Sequence, residues 1–182
     1  MSGFDLRNNF SASVNYELPI GRGKLLNIDK AYANSLLGGW FVNGIVSLHS
    51  GSPYSVTVNG DIANVGNTFV QANLVGNSTP AHRSAAEWFN PAAFSAPPSY
   101  TFGTFGRNGL VSDRYNDVDL SAFKSFVLPR ETSIEFRAEA FNLFNNVVFS
   151  APDSTVGDPN FGSVASTANT PRQIQLALKL NF

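Results

Sequence analysis

At 182 residues, with no cysteine and a net charge of -1, the chain excludes disulfides, thiol catalysis and cysteine metal sites. Lacking a Lys/Arg cluster, it also carries no electrostatic footprint for nucleic acid. Charged residues make up only 14% while aromatics reach 13%, with 16 phenylalanines, yet mean hydropathy is just -0.06, and no apolar run approaches the roughly 20 residues of a membrane-spanning helix.

Side chains of a strand alternate between two faces, and five segments show that alternation. In the first, Phe10, Ala12, Val14, Tyr16 and Leu18 alternate with Ser11, Ser13, Asn15 and Glu17. A link from Pro19 to Gly38 follows, in which Asp29 to Leu37 is predicted to form a short helix. In the second, Trp40, Val42, Gly44, Val46 and Leu48 alternate with Phe41, Asn43, Ile45, Ser47 and His49, with an extension through a kink at Gly51-Ser52-Pro53 into Tyr54 to Val58. The third runs from about Arg114 to Leu128, with Val118, Leu120 and Ala122 opposite Asp117, Asp119 and Ser121. In the fourth, Ile134, Phe136, Ala138 and Ala140 lie opposite Glu135, Arg137 and Glu139. The fifth places Ile174, Leu176, Leu178, Leu180 and Phe182 on one face and Gln173, Gln175, Ala177, Lys179 and Asn181 on the other. Strands of about 9–11 residues with one apolar and one polar face are what a transmembrane β-barrel requires. The predicted class is therefore all-β: antiparallel up-and-down strands forming part of such a barrel.

The connections fit this class. The third and fourth strands are joined by a tight link at Pro129-Arg130-Glu131, whereas Asn59–Asp113 and Val147–Pro171 are long and rich in Asn, Gly and Pro. Outer-membrane barrels pair short periplasmic turns with long external loops. With the terminal strand ending in the periplasm, both long loops fall outside and the tight turn inside. Trp88, Phe89 and Phe94, set among prolines between Ala85 and Tyr100, predict a packed loop rather than an extended one. Five strands leave two open edges, each unpaired backbone group costs several kcal/mol in hydrocarbon, and closure takes about 8 strands. The expectation is a piece of a larger barrel that aggregates alone in water. The start Met1 to Arg7 shows no basic stretch followed by an apolar one, so an export signal would have to lie upstream.

Several stretches in order resemble the C-terminal end of Oar-like TonB-dependent receptors, which often carry a carboxypeptidase-regulatory-like domain. They are Tyr16-Glu17-Leu18-Pro19, Leu37-Gly38-Gly39-Trp40, Ser50-Gly51-Ser52-Pro53-Tyr54, Trp88-Phe89-Asn90-Pro91-Ala92-Ala93-Phe94 and Gly106-Arg107-Asn108. Further on come Asp117-Val118-Asp119-Leu120-Ser121, Phe136-Arg137-Ala138-Glu139-Ala140-Phe141-Asn142-Leu143-Phe144-Asn145, and Pro171-Arg172-Gln173-Ile174-Gln175-Leu176-Ala177-Leu178-Lys179-Leu180. The resemblance implies a 22-stranded plugged barrel of the bacterial outer membrane that moves bulky ligands with energy from the TonB complex. Residues 1–182 would supply about its last five strands, without plug, TonB-contacting segment or signal peptide. Implied partners are outer-membrane lipid, the rest of the barrel and its plug, the TonB complex through the absent N-terminal part, and the barrel assembly machinery. That machinery would read Phe182, with Leu180 and Leu178 on the same face, as a strand-end signal. Where the family has an aromatic before the final Phe, this chain has Asn181.

Other chemistry finds little support. His49 and His82 are the two histidines, and Ser84 and Asp113 near His82 sit in no nucleophile-elbow pattern. Asp117 and Asp119 share a face without a facing acid, as a solvated wall does. Asp153 and Asp158 lack the oxygen spacing of a calcium loop, and Gly103, Gly106 and Gly109 miss the dinucleotide fingerprint. No catalytic residue, metal site or cofactor is expected. The best polar cluster is Glu135, Arg137 and Glu139 on the lumen face, and Trp88, Phe89, Phe94 and Tyr100 are candidate ligand contacts from the loops. The alternative is a soluble β-sandwich that binds carbohydrate through Trp40, Trp88 and Tyr100, although a sandwich calls for turn signals every 8–12 residues.

Overall fold

The computed structural model describes residues 2–130 and 132–182, so Glu131 of the predicted tight turn lies outside the described residues. In chain order the elements begin with β1 (Asn9–Glu17), α1 (Ala31–Leu37) and β2 (Phe41–His49). Six short strands follow: β3 (Pro53–Tyr54), β4 (Thr57–Asn59), β5 (Phe69–Gln71), β6 (Asn73–Leu74), β7 (Phe94–Ser95) and β8 (Leu110–Val111). Then come β9 (Tyr115–Val127), β10 (Ser133–Phe141), β11 (Thr155–Val156) and β12 (Gln173–Asn181). Two compact units result, and the five long strands form the sheet of one of them.

That sheet has the order β1-β2-β9-β10-β12, an up-and-down meander. Leu18 N donates to Trp40 O and Ser50 N to Asn8 O, the crossed pairing of antiparallel neighbours. On either side of β10 the register is antiparallel. Residues directly opposite share a face. Ile134, Phe136, Ala138 and Ala140 therefore line up with Leu180, Leu178, Leu176 and Ile174 on one side, and with Phe126, Lys124, Ala122 and Leu120 on the other. The opposite face carries Glu135, Arg137 and Glu139 beside Lys179, Ala177 and Gln175, and beside Ser125, Phe123 and Ser121. The alternation read from the sequence is thus the observed facing, and Lys124 is the charged residue it left on the apolar side.

Asn142 sets the register at the end of β10. At φ 49° it turns the chain, a conformation that asparagine tolerates better than most residues. Its amide N–H donates to Asp119 Oδ1 (2.9 Å). Its side chain donates to Asn146 O (2.9 Å) and Thr170 O (3.0 Å) and accepts from Asn146 N (2.8 Å). The strands β10 and β12 are far apart in sequence, so this knot supplies the local restraint that a tight turn gives β9 and β10, where Leu128 N donates to Thr132 O (2.8 Å).

Among the described residues, every buried hydrophobic side chain falls outside this sheet unit, and what the unit buries is polar: Lys124 and Asn142. Ile174, Leu176, Leu178 and Leu180 are exposed, as are Phe10, Val14 and Tyr16 on β1. A sandwich would need a second sheet over this apolar face; its exposure overturns that alternative.

The second unit is built from His49–Tyr115 and Val147–Asn169, with the chain before β1. Its short strands pair β3 with β8, β6 with β7, and β4 with both β5 and β11. Two- and three-residue strands are too short to show a period: the expected extension of the second strand into Tyr54 to Val58 is instead broken into β3 and β4 in separate small sheets, and β5, β6, β7, β8 and β11 lie in stretches read as loop. The core holds Val56, Val58, Val70, Ala72, Trp88, Phe89, Ala93 and Phe94. Phe89, 1% exposed, meets Phe94 and Phe161 edge-on at 5.5 and 5.2 Å, the geometry that aromatic quadrupoles favour. Asn90 caps the Pro91–Ala93 turn by accepting from Ala92 N (3.1 Å). Glycine is required at 103, where a Cβ would stand 2.0 Å from Gln71 O, and at the Gly51 kink, where it would stand 2.1 Å from Ser112 O. Burial pushes the Tyr54 hydroxyl pKa up, while amide N–H donors from Val65 and Gly66 hold Asp61 below the usual carboxylate value.

Candidate functional site

The polar face of the long-strand sheet is where charge gathers. On β10, period two brings Glu135, Arg137 and Glu139 into one row. Arg137 Nε lies 3.6 Å from Glu135 Oε1 and 3.7 Å from Glu139 Oε1. The guanidinium sits 5.4 Å over the Phe123 ring, and Phe123 stacks on Phe41 at 5.5 Å. One cation between two carboxylates leaves the row net negative, and the Phe123 ring offers the guanidinium a cation–π contact. A recess of about 130 Å³ beside it is lined by Asn43, Asp119, Ser121, Arg137 and Glu139, among others.

The sequence reading named the carboxylates and Arg137 but missed Phe41, Phe123 and Asn43 as their neighbours. Those residues lie on β2 and β9, and no pattern within one strand reports its cross-strand partner. The signal for Asn142 was present in the Phe136–Asn145 stretch, whose two asparagines at φ 49° and 53° mark the turn.

In the loop unit, Trp88, Phe89 and Phe94 are buried and offer no surface to a ligand in this arrangement, because they form the loop core. Trp88 packs edge-on against Phe149 at 5.6 Å and under Arg83 at 5.0 Å. Tyr100 differs: it is 77% exposed and held at φ 65° with its N–H donating to Ile62 O (2.7 Å). Phe102 beside it is exposed as well. His49 stacks on Tyr115 at 4.8 Å. Both Asp113 oxygens accept from backbone amides, of Arg114 and Phe149, and Asp153 caps Thr155 N (3.0 Å). Leu178 and Leu180 are exposed on the apolar face, and Phe182 is fully exposed past the end of β12.

A sheet with apolar residues outward, a charged row on its other face and long loops between its strands is the anatomy of a barrel wall. The model of one family, the outer membrane beta barrel domain, matches residues 1–175. The chain belongs to that family. No curated protein and no solved structure matches it. Membership makes this an outer-membrane β-barrel protein, and in such barrels one face of each membrane-spanning strand is apolar.

Proposed function

We propose that these residues are the C-terminal wall of a TonB-dependent receptor of the Oar-like type, which moves bulky ligands across the outer membrane. The observation that carries the reading is the sheet with no buried hydrophobic side chain among the described residues and an exposed apolar face, combined with the ordered stretches that resemble such receptors. The sheet is open, with β1 and β12 at its edges, and unpaired strand edges in hydrocarbon are too costly to leave bare. Further strands of the same barrel would pair them. Plug and TonB-contacting segment would lie elsewhere in the same polypeptide. Phe182, Leu180 and Leu178 would be read by the assembly machinery, and Tyr100 with Phe102 would meet the ligand from the loops.

The size and state of the natural polypeptide test this. An antibody against Ser150–Asn169 should detect a heat-modifiable outer-membrane band far larger than 19.6 kDa. A soluble band near that mass would overturn the proposal.

On this reading Arg137 belongs to the wall of a water-filled lumen. Its side chain is 42% exposed, so its ion pairs are screened and together contribute about 1 kcal/mol or less. Arg137→Leu should therefore leave assembly and heat modification intact, with the unfolding free energy in denaturant almost unchanged. A loss of several kcal/mol would mean that the row is dry and pressed against another element.

A further inference from the structure

We infer that the segment Pro19–Gly39, α1 included, is an interfacial anchor lying among anionic phospholipid headgroups at the rim of the sheet away from the long loops. The inference rests on the apolar face being lipid-facing, and it deepens that reading by assigning a lipid-binding role to the link between β1 and β2.

Two contacts place α1 on the lipid side. Lys124 stands opposite Phe136 in the register, which puts it on the apolar face. Its ammonium donates to the carbonyls of Ser35 and Gly38 at the C-terminal end of α1, where the helix dipole and unpaired carbonyls favour a cation. Trp40 meets Phe136 edge-on at 6.0 Å, and its indole N–H donates to Leu36 O (3.0 Å). A helix on the lumen side could not reach either side chain. Lys124 lies near the hairpin end of β9, the end that runs into the tight turn, so the helix sits at the rim and not at mid-strand.

The surface of this segment fits a headgroup layer. Leu25 is 85% exposed, Leu36 61% and Leu37 56%, and Tyr32, one turn before Leu36 on α1, is exposed too. In water so many exposed apolar side chains on one short segment would be a liability, whereas at a bilayer surface they can insert. Arg22, Lys24 and Lys30 stand against Asp29 as the only acid between Pro19 and Gly39. Lys24 pairs with Glu17, while Arg22 and Lys30 are exposed. Basic residues interleaved with leucine and tyrosine are the composition of interfacial segments that bind anionic lipid. The surface is also continuous, through Trp40 and Phe136, with the apolar face of the sheet.

Residues 1–182 contain no cysteine, which allows site-directed spin labels. The natural polypeptide that carries this chain, labelled singly at Leu25→Cys, Leu36→Cys or Leu178→Cys, with Val75→Cys as the loop reference, is reconstituted in vesicles of phosphatidylethanolamine and phosphatidylglycerol. Collision with oxygen and with a water-soluble nickel chelate is then compared. Labels at 25 and 36 should favour oxygen several-fold more than a label at the loop residue Val75, though less than the label at 178. Lipid contact at 178 with water contact at 25 and 36 overturns the anchor and leaves the barrel standing. Water contact at all three overturns both. With Arg22→Gln and Lys30→Gln combined, or with phosphatidylcholine replacing phosphatidylglycerol, the label at 25 should shift toward water. No shift in either case would overturn the anionic-headgroup assignment.

Discussion

Phe89→Ala should lower the stability of the loop unit by about 3–5 kcal/mol, the usual cost of emptying a fully buried phenylalanine site. Phe89 touches Phe94 and Phe161 edge-on and lies 6.3 Å from Tyr54, so its removal leaves a hole that rings fixed on three other segments cannot close. Neighbouring Trp88 reports the change, because it is buried in the same core. Denaturant unfolding of the natural polypeptide in detergent, followed by fluorescence with the signal of a Trp88→Phe variant subtracted, measures it. The expected result is an early Trp88 transition with the strand signal in circular dichroism retained. A loss of about 1 kcal/mol or less, below the range for such truncations, would show that the loops do not form a core of their own. The same packing explains why Trp88 and Phe94 are unavailable to a ligand: the side chains that drive the loops together are spent on one another.

Leu176→Arg should cost about 2–4 kcal/mol in lipid, as a cation near the bilayer midplane does. Leu176 lies next to the central residue of β12, pairs with Ala138 and is exposed. The neighbouring Gln175 pairs with Glu139 on the polar face. Gln175→Arg should then be close to neutral. Folding into phosphatidylcholine vesicles, titrated with guanidinium for both variants of the natural polypeptide, gives the two numbers. Equal costs for the adjacent positions would refute the assignment of one face to lipid and the other to water. The contrast is large because a single step along a strand reverses the facing, which moves a charge from lumen to hydrocarbon.

The long strands and their facing were written in the sequence, since period two is a local property and each of these strands alternates over many residues. Ile174 to Leu180 show it most plainly, with Gln175 and Lys179 between them. The tight link after Leu128 and a helix ending at Leu37 were local too. What the chain order could not carry was any pairing across strands. The bed of Phe123 and Phe41 beneath Arg137 joins β2, β9 and β10, and it exists only once the register is set. Lys124 read as one more residue of an alternating strand. Its meaning as the tie for α1 comes from carbonyls some ninety residues earlier in the chain. The loop core is likewise a tertiary fact. Val70 and Phe161 lie in aperiodic sequence, and although Tyr54 to Val58 and the Trp88-Phe89 stretch promised local order, no pattern said that these segments would be buried together. Alternation thus determined which solvent each face of the sheet meets, because that choice is made residue by residue. The partners of each side chain were decided only by folding, because they depend on segments that meet in space and not in sequence.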